Sequence, residues 1–351
     1  MIYKPTTYAV ESVTSGHPDK ICDQIADAIL DECLKQDASS RVAIEAFGSH
    51  GIIIVGGEVT TKSWVDVPAV VNGVLKDIGY DDHYGVISNI VGQSPDIAMG
   101  VDAGGAGDQG IMYGYAIDET PEYLPLGVVL AHKLSRGLEE LRKSRQLLWL
   151  KPDGKSEVII SNGRATIVLV SCQHEESIEH ADMQKDITKN LIAPVVGDLS
   201  QVEILLNPTG KFVRGGFDAD TGLTGRKIMV DTYGGLIPHG GGCFSGKDPT
   251  KVDRSAAYMA RFAAKNVVAN GLAKECLVSV AYAIGRAEPL MLEAVNETGG
   301  NITNVVAKNF DFRPQAIIER LDLRRPIYQQ TAAYGHFGRA NLPWEEIISL
   351  S

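Results

Sequence analysis

Residues 41–60, with the sequence RVAIEAFGSHGIIIVGGEVT, are the clearest guide to the architecture of this chain. They contain two runs rich in β-branched and aromatic residues, which are typical of strands, around a short turn that contains glycine. The pattern predicts a hairpin of strands Arg41–Phe47 and Ile52–Thr60 that turns at Gly48–Gly51. Helical periodicity precedes this hairpin at Pro18–Lys35 and follows it at Val65–Ile78.

The same arrangement recurs along the chain. Strands Thr7–Val13 and Val86–Val91 complete the first unit, so its order is β-α-β-β-α-β. The second unit comprises strand Ile111–Ile117, helix Leu126–Lys143, a hairpin of Glu157–Ser161 and Ala165–Cys172 about Asn162-Gly163, helix Ile178–Leu191 and strand Val202–Leu206. The third comprises strand Lys227–Asp231, helix Asp253–Asn270, strand Leu277–Ile284 and helical turns near Arg313–Leu321. We predict an α+β fold of three pseudo-repeated domains, at 1–98, 99–215 and 216–351 with interleaved boundaries, each with helices on one face of a mixed sheet.

Composition and charge exclude several classes of protein. The 351 residues are 44% hydrophobic and 22% charged, which excludes wholesale disorder. No apolar run approaches the roughly 20 residues of a membrane helix. The net charge of -11 argues against a general nucleic-acid binder, so a site for a polyanion must be a local cationic cluster. The five cysteines form no C-x-x-C pair, so we expect reduced thiols, no cysteine-rich zinc site and a cytoplasmic location.

The first candidate site is Gly16-His17-Pro18-Asp19-Lys20. Pro18 suits the first position of a helix, which makes His17 the expected N-cap. The positive end of a helix favours bound anions and lowers the pKa of a histidine. Asp19, in the first turn, could hold a Mg²⁺ ion that accompanies a phosphate.

Other residues of this helix are expected to be structural. Asp27 and Asp31 continue a four-residue spacing from Asp19, and like charges at this spacing repel, so we expect a solvated acidic face there. Cys22 and Cys33 share the opposite, apolar face and are expected in the core.

The second candidate is Gly241–Lys247, with the sequence GGCFSGK and the spacing of a phosphate-binding P-loop. The next residue is Asp248 instead of the Ser or Thr that would hold Mg²⁺, so we interpret a glycine-rich, lysine-bearing loop that is not a P-loop. Asp253, in the first turn of the following helix, could face a metal. Six cations accompany glycine-rich loops and would form a polyphosphate site if they converge: Lys155, Lys211, Arg226, Lys227, Lys247 and Lys251.

Three motifs together resemble those of the S-adenosylmethionine synthetase (methionine adenosyltransferase) family: Gly16–Lys20, Gly105–Gly110 and Gly240–Asp248. The likeness covers nearly the whole chain, and the three-domain fold of the family agrees with the triple pattern above. It implies an enzyme that makes S-adenosylmethionine from ATP and L-methionine by attack of sulfur on C5′, with triphosphate released and then cleaved to pyrophosphate and phosphate. It also implies Mg²⁺, two ions per site, K⁺, and a homodimer or dimer of dimers with active sites between subunits.

The resemblance further implies individual roles. The catalytic group would be His17, Lys155, Arg226, Lys227 and Lys247. ATP would contact these residues and Asp153, Lys211, Phe212, Asp220 and Cys243. Methionine would contact Glu58, Gln93, Asp108, Asp220, Lys251 and Ile284. The metal ligands would be Asp19 and Asp253 for Mg²⁺ and Glu45 for K⁺.

Two departures and two alternatives accompany this resemblance. The stretch Gly100–Gly107 is shorter than the gating loop of bacterial members, so we expect a more open gate. Lys211 stands where bacterial members usually carry arginine, so a bidentate contact would be lost. The alternatives are a phosphoryl transferase that uses Gly241–Lys247 and a non-catalytic relative that serves as a regulatory subunit.

Overall fold

The computed structural model describes residues 5–80, 84–92 and 105–350, and all structural statements below refer to them. The strands are β1 (Thr7–Val13), β2 (Arg41–Ser49), β3 (Ile52–Thr60), β4 (Gly85–Val91), β5 (Gly110–Ile117), β6 (Leu150–Ser161), β7 (Arg164–His174), β8 (Glu203–Leu206), β9 (Gly222–Leu223), β10 (Glu275–Tyr282) and β11 (Met291–Asn296). The helices are α1 (Pro18–Gln36), α2 (Val67–Ile78), α3 (Leu126–Lys143), α4 (His180–Ile187), α5 (Ala193–Val196), α6 (Ile228–Asp231), α7 (Val252–Ala269), α8 (Thr303–Asn309) and α9 (Pro314–Arg320).

Within these residues the strands form three sheets that exchange strands with one another. Their orders are β4-β3-β2-β9, β1-β6-β7-β8 and β11-β10-β5. The first two contain an antiparallel hairpin followed by a parallel strand, because a helical crossover returns the chain in the same direction. Strand β1 joins the central sheet, β5 joins the C-terminal sheet and β9 joins the N-terminal sheet. The predicted α+β class is confirmed, and the predicted domain limits at 98 and 215 stay a prediction.

The centre of the molecule is helical. Side chains of α1 and α7 are buried around almost their whole circumference. Helix α1 packs on β2, α3 on β6 and β1, and α7 on β5 and β10. Helices that are buried on all sides lie between layers. The other face of the N-terminal sheet is open, and Phe47, Ile54 and Ile87 are exposed there.

Several local predictions are confirmed. Asn162 and Gly163 have φ of 49° and 75°, as a two-residue hairpin turn requires. Cys22 and Cys33 lie in the core. No helix within the described residues is long and apolar enough to span a membrane.

The predicted strand at Lys227–Asp231 is wrong. This segment is the short helix α6, in which the Asp231 amide donates to the Lys227 carbonyl at 2.9 Å. A short apolar run fits a strand or a buried helical turn equally well, and here the turn places Asp231 in the core beside Lys20. Strand β5, which the sequence assigned to the second unit, takes the vacant place in the third sheet.

Candidate active site

The first group of predicted site residues lies at the N-terminus of α1. Nδ1 of His17 accepts a hydrogen bond from the Asp19 amide at 3.1 Å, which confirms His17 as the N-cap. Burial and the nearby ammonium groups of Lys227 and Lys155 lower the pKa of His17 to about 3. The imidazole is therefore neutral, and because Nδ1 is the acceptor, its proton lies on Nε2.

Asp19 is buried next to His17 and gathers two cations. Its carboxylate accepts hydrogen bonds from Lys227 Nζ at 2.6 Å and from the Leu223 amide at 3.0 Å, and Arg226 Nε lies 3.5 Å from Oδ1. Burial disfavours the charged carboxylate, but the bonds from Lys227 and Leu223 outweigh it and lower the pKa of Asp19. Strand β9 and the segment after it thus bring Arg226 and Lys227 to the start of α1.

The central segment adds Asp153, Lys155 and Phe212 to this side. Lys155 lies on β6 opposite Val13 and is exposed. Asp153 is buried, accepts from the Gly216 amide at 2.9 Å, and has a pKa raised to about 6 by that burial. Phe212 is held by paired bonds to His174, since its amide donates to Nε2 at 3.0 Å and its carbonyl accepts from the His174 amide at 2.9 Å.

The second group lies on the glycine-rich loop before α7. Lys247 Nζ donates to Asp253 Oδ2 at 2.5 Å, and the main chain of the loop bonds to β2 through the Ile44 amide and the Gly246 carbonyl at 3.0 Å. A Cβ at Gly242 would lie 2.3 Å from the Asp253 carboxyl and would push this carboxylate aside. Gly246 is required more strictly, because its φ is 79° and a Cβ there would lie 1.9 Å from the Ile44 carbonyl oxygen.

Asp248, the residue that departs from a P-loop, has a structural task. It is fully buried, and its Oδ2 accepts hydrogen bonds from the Val42 amide at 2.7 Å and from Lys251 Nζ. This carboxylate therefore ties the loop to β2 and orients Lys251. A side chain used in this way cannot serve as the metal ligand of a P-loop.

A cleft of about 340 Å³ collects four of the predicted residues. Glu45 and Glu58 lie on its wall because β2 and β3 pair with Ala43 opposite Glu58. Cys243 and Lys247 form the facing wall. The two groups of site residues are joined by Gly225, which packs against Cys243 and precedes Arg226.

The remaining predicted residues are more dispersed. Asp108 and Asp220 are exposed, and each carboxylate accepts from the amide of the next residue. Ile284 is exposed beside Gly285, which bonds to the segment of Asp108 through the Ala106 carbonyl. Lys211 is exposed and lies 3.8 Å from Glu176, and in the described part of the chain no ion pair joins it to His17 or Asp19. Gln93 and residues 100–104 of the predicted gate Gly100–Gly107 lie outside the described residues, so the expectation of a more open gate stays a prediction.

The acidic face expected on α1 is not solvated, so that prediction is wrong. Asp27 is fully buried and forms two hydrogen bonds of 2.7 Å with the guanidinium of Arg254. Asp31 is buried and accepts from the amides of Tyr328 and Gln329. The repulsion between like charges is offset because each carboxylate meets its own donor. No signal in the sequence pointed to this role, because the partners are more than 200 residues distant.

Three models of the S-adenosylmethionine synthetase family match the chain, the N-terminal domain at 6–95, the central domain at 103–212 and the C-terminal domain at 214–346. The chain belongs to the S-adenosylmethionine synthetase family. It is 50% identical to the S-adenosylmethionine synthase of Staphylococcus epidermidis, over 99% of this chain and 97% of the relative. It is 48% identical to the S-adenosylmethionine synthase of Thermus thermophilus, over 96% of this chain and 94% of the relative. The predictions of the family and of an enzyme, a methionine adenosyltransferase, are confirmed.

Proposed function

We propose that the enzyme forms S-adenosylmethionine by direct attack of the methionine sulfur on C5′ of ATP. The sulfur lone pair forms the new S–C5′ bond while the C5′–O bond breaks and its electron pair leaves with triphosphate. Thioether sulfur is already a nucleophile, so the reaction needs alignment and stabilisation of a polyanion more than a general base. Hydrolysis of the triphosphate to pyrophosphate and phosphate follows on the same enzyme.

The observation that carries this proposal is the cationic cluster around His17 in a protein of net charge -11. Arg226 and Lys227 meet there at the positive end of α1, and Lys155 is close enough to lower the pKa of His17. Nε2–H of the neutral imidazole is a donor that suits the departing oxygen. Charge on that oxygen grows as the C5′–O bond breaks, so these donors stabilise the transition state more than bound ATP.

Two Lys–Asp ion pairs lie among the residues proposed to bind the phosphates of ATP. Lys227 pairs with Asp19 and Lys247 with Asp253, and all four side chains are only partly exposed or buried. We propose that each lysine exchanges its carboxylate for phosphate oxygens when ATP binds. The freed carboxylates of Asp19 and Asp253 would then be able to hold Mg²⁺ that accompanies the phosphates.

These residues fit Mg²⁺. Within the described residues no cluster of three or more His, Cys, Asp or Glu side chains could hold a metal alone. Mg²⁺ commonly takes one or two carboxylates together with substrate phosphates and water, which is what Asp19 and Asp253 offer. When bound, Mg²⁺ would neutralise triphosphate charge, and two ions per site are proposed. Glu45, a hard oxygen donor exposed in the cleft, is the proposed K⁺ ligand.

The remaining substrate contacts are proposed in three places. The cleft between Glu58 and Cys243 would receive substrate, and Lys251, fixed by Asp248, would face the methionine carboxylate. Asp153 and Phe212 would contact the adenosine part of ATP. The other proposed contacts are Asp220 for both substrates, Lys211 for ATP, and Gln93, Asp108 and Ile284 for methionine.

We propose a homodimer through the open face of the N-terminal sheet. Across this face Leu223, Phe47, Ile54 and Ile87 lie side by side in register, and Ile87 is 50% exposed. Contiguous exposed apolar side chains mark an interaction surface. Glu45 and Glu58 point from the same face, so a second copy would close the cleft and complete the site.

Two experiments test these proposals. The protein is incubated with ATP, methionine, Mg²⁺ and K⁺, and the products are identified by mass spectrometry and phosphorus NMR. We expect a sulfonium product with pyrophosphate and phosphate, whereas ADP would support the phosphoryl transferase and no turnover the non-catalytic relative. Light scattering of wild type and Ile54→Asp tests the dimer, and a monomeric wild type would contradict it.

A further inference from the structure

The loop that carries His17 is held by side chains from three distant parts of the chain. We call residues Thr14–His17 the His17 loop. The hydroxyl of Tyr334 accepts from the Ser15 amide at 3.0 Å, and Glu139 Oε1 accepts from Ser15 Oγ at 2.9 Å. The hydroxyl of Tyr80 donates to the Gly16 carbonyl at 2.9 Å.

The backbone of Pro152 and Gly154 packs directly against the loop. A Cβ at Gly16 would lie 2.5 Å from the carbonyl carbon of Pro152, so the backbones touch directly. Thr14 Oγ1 donates to the Pro152 carbonyl at 2.7 Å, and the Thr14 amide donates to Gly154 at 2.9 Å. The His17 loop is thus held by direct backbone contact with Pro152 and Gly154 and by the two tyrosine hydroxyls, so small displacements of the loop would break several contacts.

Tyr334 is held in an unusual conformation to make its contact. Its φ is 65°, in the left-handed region that a bulky residue seldom adopts. Its hydroxyl also interacts with Glu139, and Arg136 lies over its ring at 5.6 Å. Backbone strain of this kind persists where the surrounding structure fixes it and often marks functional sites. Tyr334 is not among the proposed contacts of substrate or metal.

We propose that Tyr334, Glu139 and Tyr80 are positioning residues that hold the His17 loop where His17 can face the breaking C5′–O bond. The proposal rests on the proposed function for its activity readout. Tyr80, Glu139 and Tyr334 lie in the segments that match the N-terminal, central and C-terminal domains of the family, so the position of His17 depends on all three. None of the three side chains is assigned a contact with substrate.

The test uses Tyr334→Phe with Tyr115→Phe as its matched control. Tyr115 is also a buried tyrosine whose hydroxyl donates to a glutamate, Glu275 Oε1, at 2.7 Å, and it lies outside the proposed site. Hydrogen exchange by mass spectrometry is followed in the peptide that covers the His17 loop, together with kcat and KM for ATP and methionine. Tyr80→Phe is the second variant, because it removes a different hydrogen bond to the same loop.

We expect Tyr334→Phe to speed exchange of the His17 loop about tenfold and to lower kcat about tenfold, with both KM values within about twofold, because the reacting groups are present but misplaced. Tyr80→Phe should behave similarly, and Tyr115→Phe should leave both readouts unchanged. Wild-type loop exchange and kcat in Tyr334→Phe would overturn the proposal. The proposal would also be overturned if Tyr334→Phe and Tyr115→Phe lost protection against exchange equally throughout the protein, because that result would indicate a general structural role. If the wild type forms no S-adenosylmethionine, the proposed function fails, while loop exchange still decides whether Tyr334 fixes the loop.

Discussion

Two aspartates of α1, Asp19 in its first turn and Asp27 near its middle, form ion pairs that differ in burial and in the type of cation. At the first turn, Asp19 pairs with Lys227, whose side chain is 17% exposed, and Arg226 nearby is more exposed still. Two turns further on, Asp27 pairs with Arg254, and both side chains are wholly buried. In the Lys247–Asp253 pair both members reach the surface, so its lysine, like Lys227, is accessible.

The comparison shows that burial and the type of cation decide what a carboxylate can do. Arg254 makes a two-pronged contact with Asp27, and its ring contact with Tyr328 at 4.3 Å fixes the guanidinium further. A lysine ammonium makes a single point contact and can turn to a phosphate. The buried pair therefore fixes α1 against α7, and the accessible pairs are available for exchange with substrate.

The largest effect is expected where the buried pair is broken. Asp27→Asn should lower the free energy of unfolding by about 3 kcal/mol, because Arg254 is left buried without a counter-charge. Urea unfolding measures this value, with Glu32→Gln as the control on the same helix, since Glu32 pairs with Lys35 at an exposed position. That control should change stability by less than about 0.5 kcal/mol. Similar losses of stability in the two variants would show that the buried ion pair contributes no more than the exposed one.

The accessible pairs should show the reverse behaviour. Lys247→Ala and Asp253→Ala should each lower kcat by about 100-fold, or roughly 2.7 kcal/mol of activation free energy, with an unchanged urea midpoint. Steady-state kinetics and urea unfolding are measured on the same preparations. Lys35→Ala is the matched control, because its ion pair is also 2.5 Å long but lies away from the site. Near-normal turnover in either site variant would refute the role proposed for that residue.

The sequence predicted what depends on local pattern. Pro18 after His17 indicated the N-cap, and runs rich in β-branched and aromatic residues indicated β2 and β3 nearly to their ends. The fates of Asp27 and Asp31 were missed because a repulsive spacing says nothing about partners such as Arg254, which arrive from distant sequence. Arg226 and Lys227 were named as a site, but a helix was mistaken for a strand there, since tertiary contacts of Asp231 decide that segment.

An effect that depends on pH is expected at Asp153. Its pKa of about 6 in the folded protein lies above the roughly 3.9 of an unfolded chain, so the folded state binds the proton more tightly. Stability should therefore fall as pH rises from about 4 to about 6 and stay lowered above that range. Asp153→Asn resembles the neutral form, keeps an acceptor for the Gly216 amide and removes this titration.

Urea unfolding of wild type and Asp153→Asn across this pH range tests the expectation. The two should be similarly stable near pH 4, and the variant should be more stable by about 3 kcal/mol at pH 7. A constant difference at all pH values would show that Asp153 is not the group that titrates. The result also distinguishes Asp153 from Asp19. The pKa of Asp19 is lowered in the folded protein, so its contribution to stability is lost only as pH falls below the roughly 3.9 of an ordinary aspartate.

The smallest effect is expected at Lys211, which extends the comparison to a cation without a firm partner. Its side chain is 74% exposed and lies 3.8 Å from Glu176, which is itself exposed, so no geometry is fixed before substrate arrives. An exposed lysine such as Lys211 loses side-chain entropy when it binds ATP. Lys227 has already lost this entropy in its ion pair with Asp19. Lys211→Ala should therefore lower kcat/KM for ATP by only about threefold, against the far larger loss at Lys247. Lys211→Arg should raise it slightly, since a guanidinium can make two parallel bonds to phosphate. A loss at Lys211→Ala as large as that at Lys247→Ala would show that exposure in the free enzyme does not separate strong from weak contributors to this site.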